Sequence, residues 1–408
     1  MSARALLWAA FAVVHVAVAA FGWFLPNQPM GDVYLVYEPW ARAAASGSAV
    51  VGITETFVYP HLALLPMLAA LGLSWVGGYI VAWAIVVTAL DAVAFALLLG
   101  DGRSAGRTVA GWFWMAYLAL LGPVAIYRID AVTVPLAVAG LLLLARRPRI
   151  AAALLSVGMW IKVWPVALLA AAFVALRRRL EVLGTALAVS AAVVLLVVSA
   201  GGAAHLAGFI GAQTGRGLQL EAPVSTVYLW RAVFGVEGSF IFYDPDILTF
   251  QVTGPGVDTV IALMTPVLMA GVVGIVLVGA VKARRGASFL RLFPPLALAL
   301  VLVLIVTNKV GSPQFQTWLI APLVLWLVLD RRRAAAPAVL AGIVAALTQA
   351  IYPMVYGGLL GAQFLPVLLL TLRNATEIAL LVVVLVRLVG VPVPTRRREA
   401  GHVPLPTS

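Results

Sequence analysis

Asp32 follows Gly31 at the point where an apolar N-terminal run gives way to an aromatic stretch, Val33-Tyr34-Leu35-Val36-Tyr37-Glu38-Pro39-Trp40. A carboxylate at the edge of an apolar layer is partly desolvated and suits proton abstraction from a hydroxyl. The same position suits an N-cap for a helix over 33–45. Glu38 and Glu55 lie further along the loop, where a solvated carboxylate is the ordinary reading; Glu38 is kept as a substrate contact.

The cations that could complement such a base are few. Lys162 sits in Trp160-Ile161-Lys162-Val163-Trp164-Pro165, inside an apolar run. A mid-bilayer lysine costs about 2.5–3.5 kcal/mol on insertion scales, so it is expected to face a cavity and a partner such as a lipid phosphate, or else to snorkel to the surface. Tyr127-Arg128-Ile129-Asp130 is a tight turn in which Arg128 either neutralises Asp130 or holds a phosphate bidentately. Tyr59-Pro60-His61 offers His61 to a phosphate or leaving group, or as a helix cap, with Tyr59 as a substrate contact. The segment 307–318 crowds amides, hydroxyls and Lys309 together, with Gln314 and Gln316 among them, which suits sugar hydroxyls or phosphate, or else a plain capped turn. Asp91, within an apolar run, requires a proton or a partner. Arg373 and Glu377 have the spacing of a helical i,i+4 pair. Asp244-Pro245-Asp246 has an Asp-x-Asp spacing, but Asp-Pro is common turn chemistry and no metal is assigned to it. With four scattered histidines and no cysteine, the chain gives no signal for a metal centre or another cofactor.

The elements that must position these groups follow from composition. Of 408 residues, 63% are hydrophobic and 10% charged, against about a quarter charged in a soluble domain. That excludes a soluble enzyme, a disordered chain and a nucleic-acid module, and leaves an all-α polytopic membrane protein. Short arginine-rich loops stay cytoplasmic. One topology satisfies the clusters at 103–107, 146–149, 177–179, 282–291, 331–333 and 396–398. It has twelve spans at roughly 5–25, 77–99, 108–124, 131–146, 149–161, 164–176, 181–199, 258–281, 290–306, 315–330, 334–351 and 367–388, with both termini inside. The apolar run 57–73 is read as a re-entrant helix dipping into the outer leaflet. Helices 149–161 and 164–176 are read as a short hairpin meeting at Lys162. This arrangement makes 1–388 a single transmembrane domain with long outer loops at 26–56 and 200–257, and 389–408 a disordered cytoplasmic tail. The cytoplasmic side then carries 20 basic and four acidic residues, and the outer side seven and nine. The net charge of +12 is an orientation signal, not a sign of a nucleic-acid partner.

Taken together, these segments resemble the integral-membrane GT-C glycosyltransferases, and in particular the family 87 mannosyltransferases of actinobacterial type. The resemblance rests on an Asp soon after the first span (Asp32), Tyr-Pro-x-Leu-Ala-Leu-Leu-Pro at 59–66, Lys162-Val163-Trp164-Pro165 between two short helices, and Lys309-Val-Gly-Ser-Pro-Gln-Phe-Gln-Thr-Trp-Leu-Ile-Ala-Pro322. It implies a GT-C-like fold in the cell membrane with its active site on the outer face. The implied donor is a polyprenyl-phosphate sugar, with mannose the expected sugar, and the acceptor a lipid-linked or glycan hydroxyl. Asp32 would be the general base of an inverting transfer. Lys162, Arg128, His61 and Lys309 would serve the donor phosphate, and Tyr59, Gln314, Gln316, Asp130 and Glu38 the rest of the substrate. The competing class is a transporter or flippase for a polyprenyl-linked sugar or glycolipid. Transporters often show paired halves with matching broken helices, and no such symmetry is visible here.

Overall fold

The computed structural model describes residues 2–245 and 247–394. In chain order its helices are α1 (Ala3–Phe24), α2 (Glu38–Ser46), α3 (Leu64–Gly72), α4 (Tyr79–Leu99), α5 (Ala105–Leu121), α6 (Ile129–Leu143), α7 (Pro148–Ile161), α8 (Val166–Ala175), α9 (Arg179–Ser199), α10 (Gly208–Thr214) and α11 (Thr226–Val233). After the strands β1 (Phe240–Asp244) and β2 (Thr249–Thr253) come α12 (Val257–Arg284), α13 (Phe289–Val306), α14 (Ile320–Leu329), α15 (Arg331–Gln349), α16 (Tyr356–Leu360) and α17 (Phe364–Val389). Local chemistry sets several ends. The hydroxyls of Ser2 and Ser104 and the carboxylate of Asp330 accept backbone N–H groups at the starts of α1, α5 and α15.

Among the described residues, eight helical segments are long and apolar enough to cross a membrane. Each of the twelve expected spans coincides with helix. Four of them, α6, α7, α8 and α14, have 15, 14, 10 and 10 residues. At about 1.5 Å per residue they fall short of a hydrocarbon layer about 30 Å thick. α13 is apolar on most of its circumference and mostly buried, whereas α12 has few buried residues along its length.

The basic turns meet one another. Gly102, between α4 and α5, packs on Arg4. Gly106 at the start of α5 abuts the carbonyls that end α14. Arg149 and Arg178, at the starts of α7 and α9, share Glu181. Lys282 near the end of α12 donates to the carbonyls of Val389 and Val391 after α17. The cluster 396–398 and most of the tail lie outside the described residues. At the opposite end, Trp83 of α4 donates to the Ile126 carbonyl and Tyr127 to that of Ala19.

Three local features matter for the site. The run 57–73 forms a 3-10 turn at His61–Ala63 followed by α3, which is only nine residues long and packs between α2 and α4. The chain breaks at Lys162, which is extended (φ −150°, ψ 133°), before Pro165 leads into α8. The π-helical turn Ala350–Val355 that continues α15 likewise breaks at Tyr352 (φ −120°, ψ 118°). The all-α expectation needs one amendment. The loop 200–257 is structured, holding α10, α11 and an antiparallel β1–β2 hairpin to which Gln219 is bridged through Gln251.

Candidate functional site

Asp32 opens a single π-helical turn, Val33–Tyr37, and its side chain makes no capping bond to it. The cap alternative is therefore corrected: the carboxylate is committed elsewhere. Its Oδ1 stands 2.6 Å from Arg128 Nη1. Tyr37, one wide turn on, donates its hydroxyl toward Asp32 Oδ2 at 3.4 Å and accepts the Ile129 N–H at 3.1 Å. Arg128 Nη2 donates to the Tyr352 hydroxyl at 2.9 Å, and that hydroxyl donates in turn to the carbonyls of Asn27 and Gln28. The Asp32 side chain is 36% exposed, that of Arg128 only 8%. An accessible carboxylate thus rests on a buried guanidinium whose other face is held by a tyrosine from the far end of the chain.

A second ion pair adjoins it. Lys162 Nζ lies 3.5 Å from Asp130 Oδ2, and Trp318 Nε1 donates to Asp130 Oδ1 at 2.6 Å. Lys162 also stands 4.5 Å over the Tyr59 ring, a favourable cation–π placement. Burial and the nearby carboxylates of Asp32 and Asp130 push the Tyr59 phenol well above its ordinary range. The expected mutual neutralisation of Arg128 and Asp130 is corrected here. Arg128 is extended (φ −128°, ψ 151°) just before α6, whereas Asp130 is in its first turn. Their side chains diverge, and each takes a distant partner.

A third cluster flanks these pairs. Arg373 of α17 reaches both Glu221 (3.4 Å) and Glu377 (3.3 Å), and it donates to the Glu221 carbonyl at 2.8 Å. The expected i,i+4 pair is present, but it is buried and extends beyond the helix. Gln316 Nε2 donates to Glu377 Oε1 at 2.6 Å, while its carbonyl accepts from Tyr117. Gln316 is fully buried, and its amide nitrogen is engaged by Glu377. Gln314 is also buried, its carbonyl accepting from Thr317. Burial pushes the Glu221 carboxyl up to about 7, against the pull of Arg373.

The other expected residues stand apart. His61 packs against Gly52, Trp160 and Phe209, and burial pushes its imidazole down. Lys309 is nearly buried, its carbonyl accepting from Gln219 N, and burial pushes its ammonium down. Glu38 pairs with Arg42 on the surface of α2 and does not join the Asp32 cluster. Asp91 finds its partner in His15, whose Nε2 is 3.1 Å from Asp91 Oδ2 between α1 and α4. Among the described residues, no three His, Asp or Glu side chains converge as metal ligands; Asp246 lies outside them.

Tyr37, Tyr352, Trp318 and Glu221 were not foreseen. Tyr37 carries a weak signal, a tyrosine five residues from the acid. Tyr352 carries none, since it joins Arg128 across 224 residues of chain.

Residues 52–237 match the family model of glycosyltransferase family 87. Here the chain resembles family 87. The family 87 segment contains Tyr59, His61, Arg128, Asp130, Lys162 and Glu221, whereas Asp32, Lys309, Trp318 and Tyr352 lie outside it. The two cations nearest the accessible carboxylate and its neighbour thus come from the family 87 segment, and the carboxylate itself precedes it. No curated protein and no solved structure matches the chain.

Proposed function

We propose that this protein is a membrane glycosyltransferase that moves a sugar, mannose being the favoured one, from a polyprenyl-phosphate donor to a hydroxyl of a lipid-linked or glycan acceptor at the outer face of the cell membrane. The observation that carries this reading is the half-exposed Asp32 carboxylate on the buried Arg128, at the end of the bundle remote from the basic turns. Basic turns favour the cytoplasm, so the Asp32 end faces out. No nucleotide sugar is available there, and a lipid-borne donor meets the need. The short helices α6 and α7 support this reading, because Asp130 and Lys162 at their ends then lie below the membrane surface, within reach of a lipid phosphate.

In this mechanism Asp32 takes the proton of the acceptor hydroxyl as its oxygen attacks the anomeric carbon. The bond from that carbon to the phosphate oxygen breaks, the configuration inverts, and polyprenyl phosphate leaves with the bonding electrons. Developing charge on the phosphate requires fixed cations, and Arg128 and Lys162 are the two assigned to it. The donor phosphate competes with Asp32 for Arg128, which leaves the carboxylate free to act as a base. Lys309 and His61 are assigned to the outer part of the same donor path, and Tyr59 to the sugar.

The test supplies purified protein in lipid with radiolabelled polyprenyl-phosphate mannose and an extract of membrane glycolipids. Transfer is expected, with Asp32→Asn lowering the rate by roughly 10²–10⁴-fold, the usual worth of general-base catalysis. Binding of the lipid sugar without transfer, or full transfer by Asp32→Asn, overturns the reading.

A further inference from the structure

The loop that follows α9 carries an apolar surface that the reaction does not use. It is formed by α11, the turn after it and the β-hairpin. Phe234 is 72% exposed and Phe240 55%, with Val227, Phe242 and Leu248 also exposed. On a loop standing in water, this would be an unusual concentration of large apolar side chains.

The contacts of α11 fix its level. Thr226 at its start accepts from Asn374, and Trp230 donates to Thr371. Trp230 also packs on Phe364, the first residue of α17. Asn374 and Thr371 are ten and seven residues into α17, or about 15 and 10 Å along it at 1.5 Å per residue. Helix α11 therefore lies alongside the outer half of α17, antiparallel to it, and ends near the helix start. With 26 residues, α17 is about 39 Å long and exceeds the hydrocarbon layer by only about 9 Å. A neighbour reaching 10–15 Å down it is below the headgroups. On the other side, β2 ends three residues before α12, whose exposed Leu263 and Met269 face outward along a helix of spanning length. The apolar surface is thus continuous with the lipid-facing sides of α12 and α17. The cation of α11 is held within this region: Arg231 donates to the Pro255 carbonyl and stands over Tyr228.

We propose that α11 and the β1–β2 hairpin are seated in the leaflet on the Asp32 side, with Phe234, Phe240 and Phe242 against lipid. The partner is the bilayer itself, as for interfacial amphipathic elements generally. This inference is independent of the reaction catalysed.

The absence of cysteine makes the test direct. Single cysteines are introduced at Phe234 or Phe242, spin-labelled, and read in lipid nanodiscs by collision with oxygen and with a water-soluble nickel chelate. Met269→Cys on α12 is the lipid reference and Asp101→Cys, in an exposed turn at the basic end, the water reference. Labels at Phe234 and Phe242 are expected to match the Met269 label, favouring oxygen. A match to the Asp101 label overturns the proposal. So does protection from both reagents, which would mean that a second copy or another protein covers the surface. Both replaced residues are exposed, so folding is not at stake; the elution volume of each labelled protein checks it.

Discussion

Arg128 Nη1 and Asp32 Oδ1 are 2.6 Å apart, and the arginine is buried while the aspartate is open to its surroundings. The pair is asymmetric in what can reach it: a ligand arriving from outside meets the carboxylate first and the cation only by displacing it.

Arg128→Lys tests that arrangement. A guanidinium can hold Asp32 through one nitrogen and Tyr352 through another, whereas an ammonium is a single point of charge. The loss of one charged hydrogen bond is worth about 1.5–3 kcal/mol, or about ten- to a hundred-fold. The expected result in initial-rate measurements is a fall of that size in kcat/KM that appears in kcat as well, because the charge Arg128 meets develops in the transition state.

Tyr352→Phe removes one hydroxyl and leaves the ring in place. Arg128 loses an acceptor, and the carbonyls of Asn27 and Gln28 lose their donor. An unsatisfied buried group costs about 1–3 kcal/mol. Thermal unfolding in detergent should show a lowered midpoint, and transfer should slow because the loop bearing Asp32 loses its anchor.

His15 and Asp91 form a buried pair inside the membrane region, with Phe11 packed on the His15 ring and Phe95 on Phe11. Removing one partner of a buried pair costs about 3–5 kcal/mol, whereas replacing both with apolar groups is often neutral. His15→Ala is expected to destabilise strongly, and the double change His15→Leu with Asp91→Leu to recover most of the loss, as read by thermal midpoints.

Glu221 titrates near 7 in the folded chain, against 4.5 for an ordinary glutamate. The folded state thus binds a proton that the unfolded state releases. The stabilisation this provides is fully present below 4.5 and is lost as pH rises through about 7. A shift of that size corresponds to about 3 kcal/mol. Wild-type stability minus that of Glu221→Gln should therefore decline between pH 4.5 and 7 and level off above. A constant difference across that range would contradict the assignment.

Much of the helical framework is legible from hydropathy and arginine spacing, because lipid demands long apolar helices and the basic turns alternate with them. The break at Lys162 is equally plain, since a lysine and a proline interrupt an apolar run within four residues. Pairings across the chain are another matter. Nothing local distinguishes Asp130 as the partner of Lys162 rather than of Arg128, because the choice depends on one extended residue at the start of α6. Gln316 looks like a sugar ligand by type, and nothing local shows that its amide nitrogen meets Glu377, sixty-one positions away. The β-hairpin at 240–253 is not legible in the sequence, where the loop that holds it stands out only by its length. The close approach of Gly311 to the backbone of Glu221 and Ala222, which leaves no room for a Cβ, is likewise invisible without the fold.

The bond from Arg128 to Tyr352 has a consequence for biosynthesis. Asn27 also binds the Pro353 carbonyl, across 326 positions. The acid emerges well before its support, which arrives only when the ribosome has passed position 353. At about 5–20 residues per second, some tens of seconds separate the two events. During that interval the early helices are inserted while their polar end groups wait for partners. Nascent chains stopped before position 352 should therefore carry Asp32 and Arg128 together but lack the clamp that holds them in register.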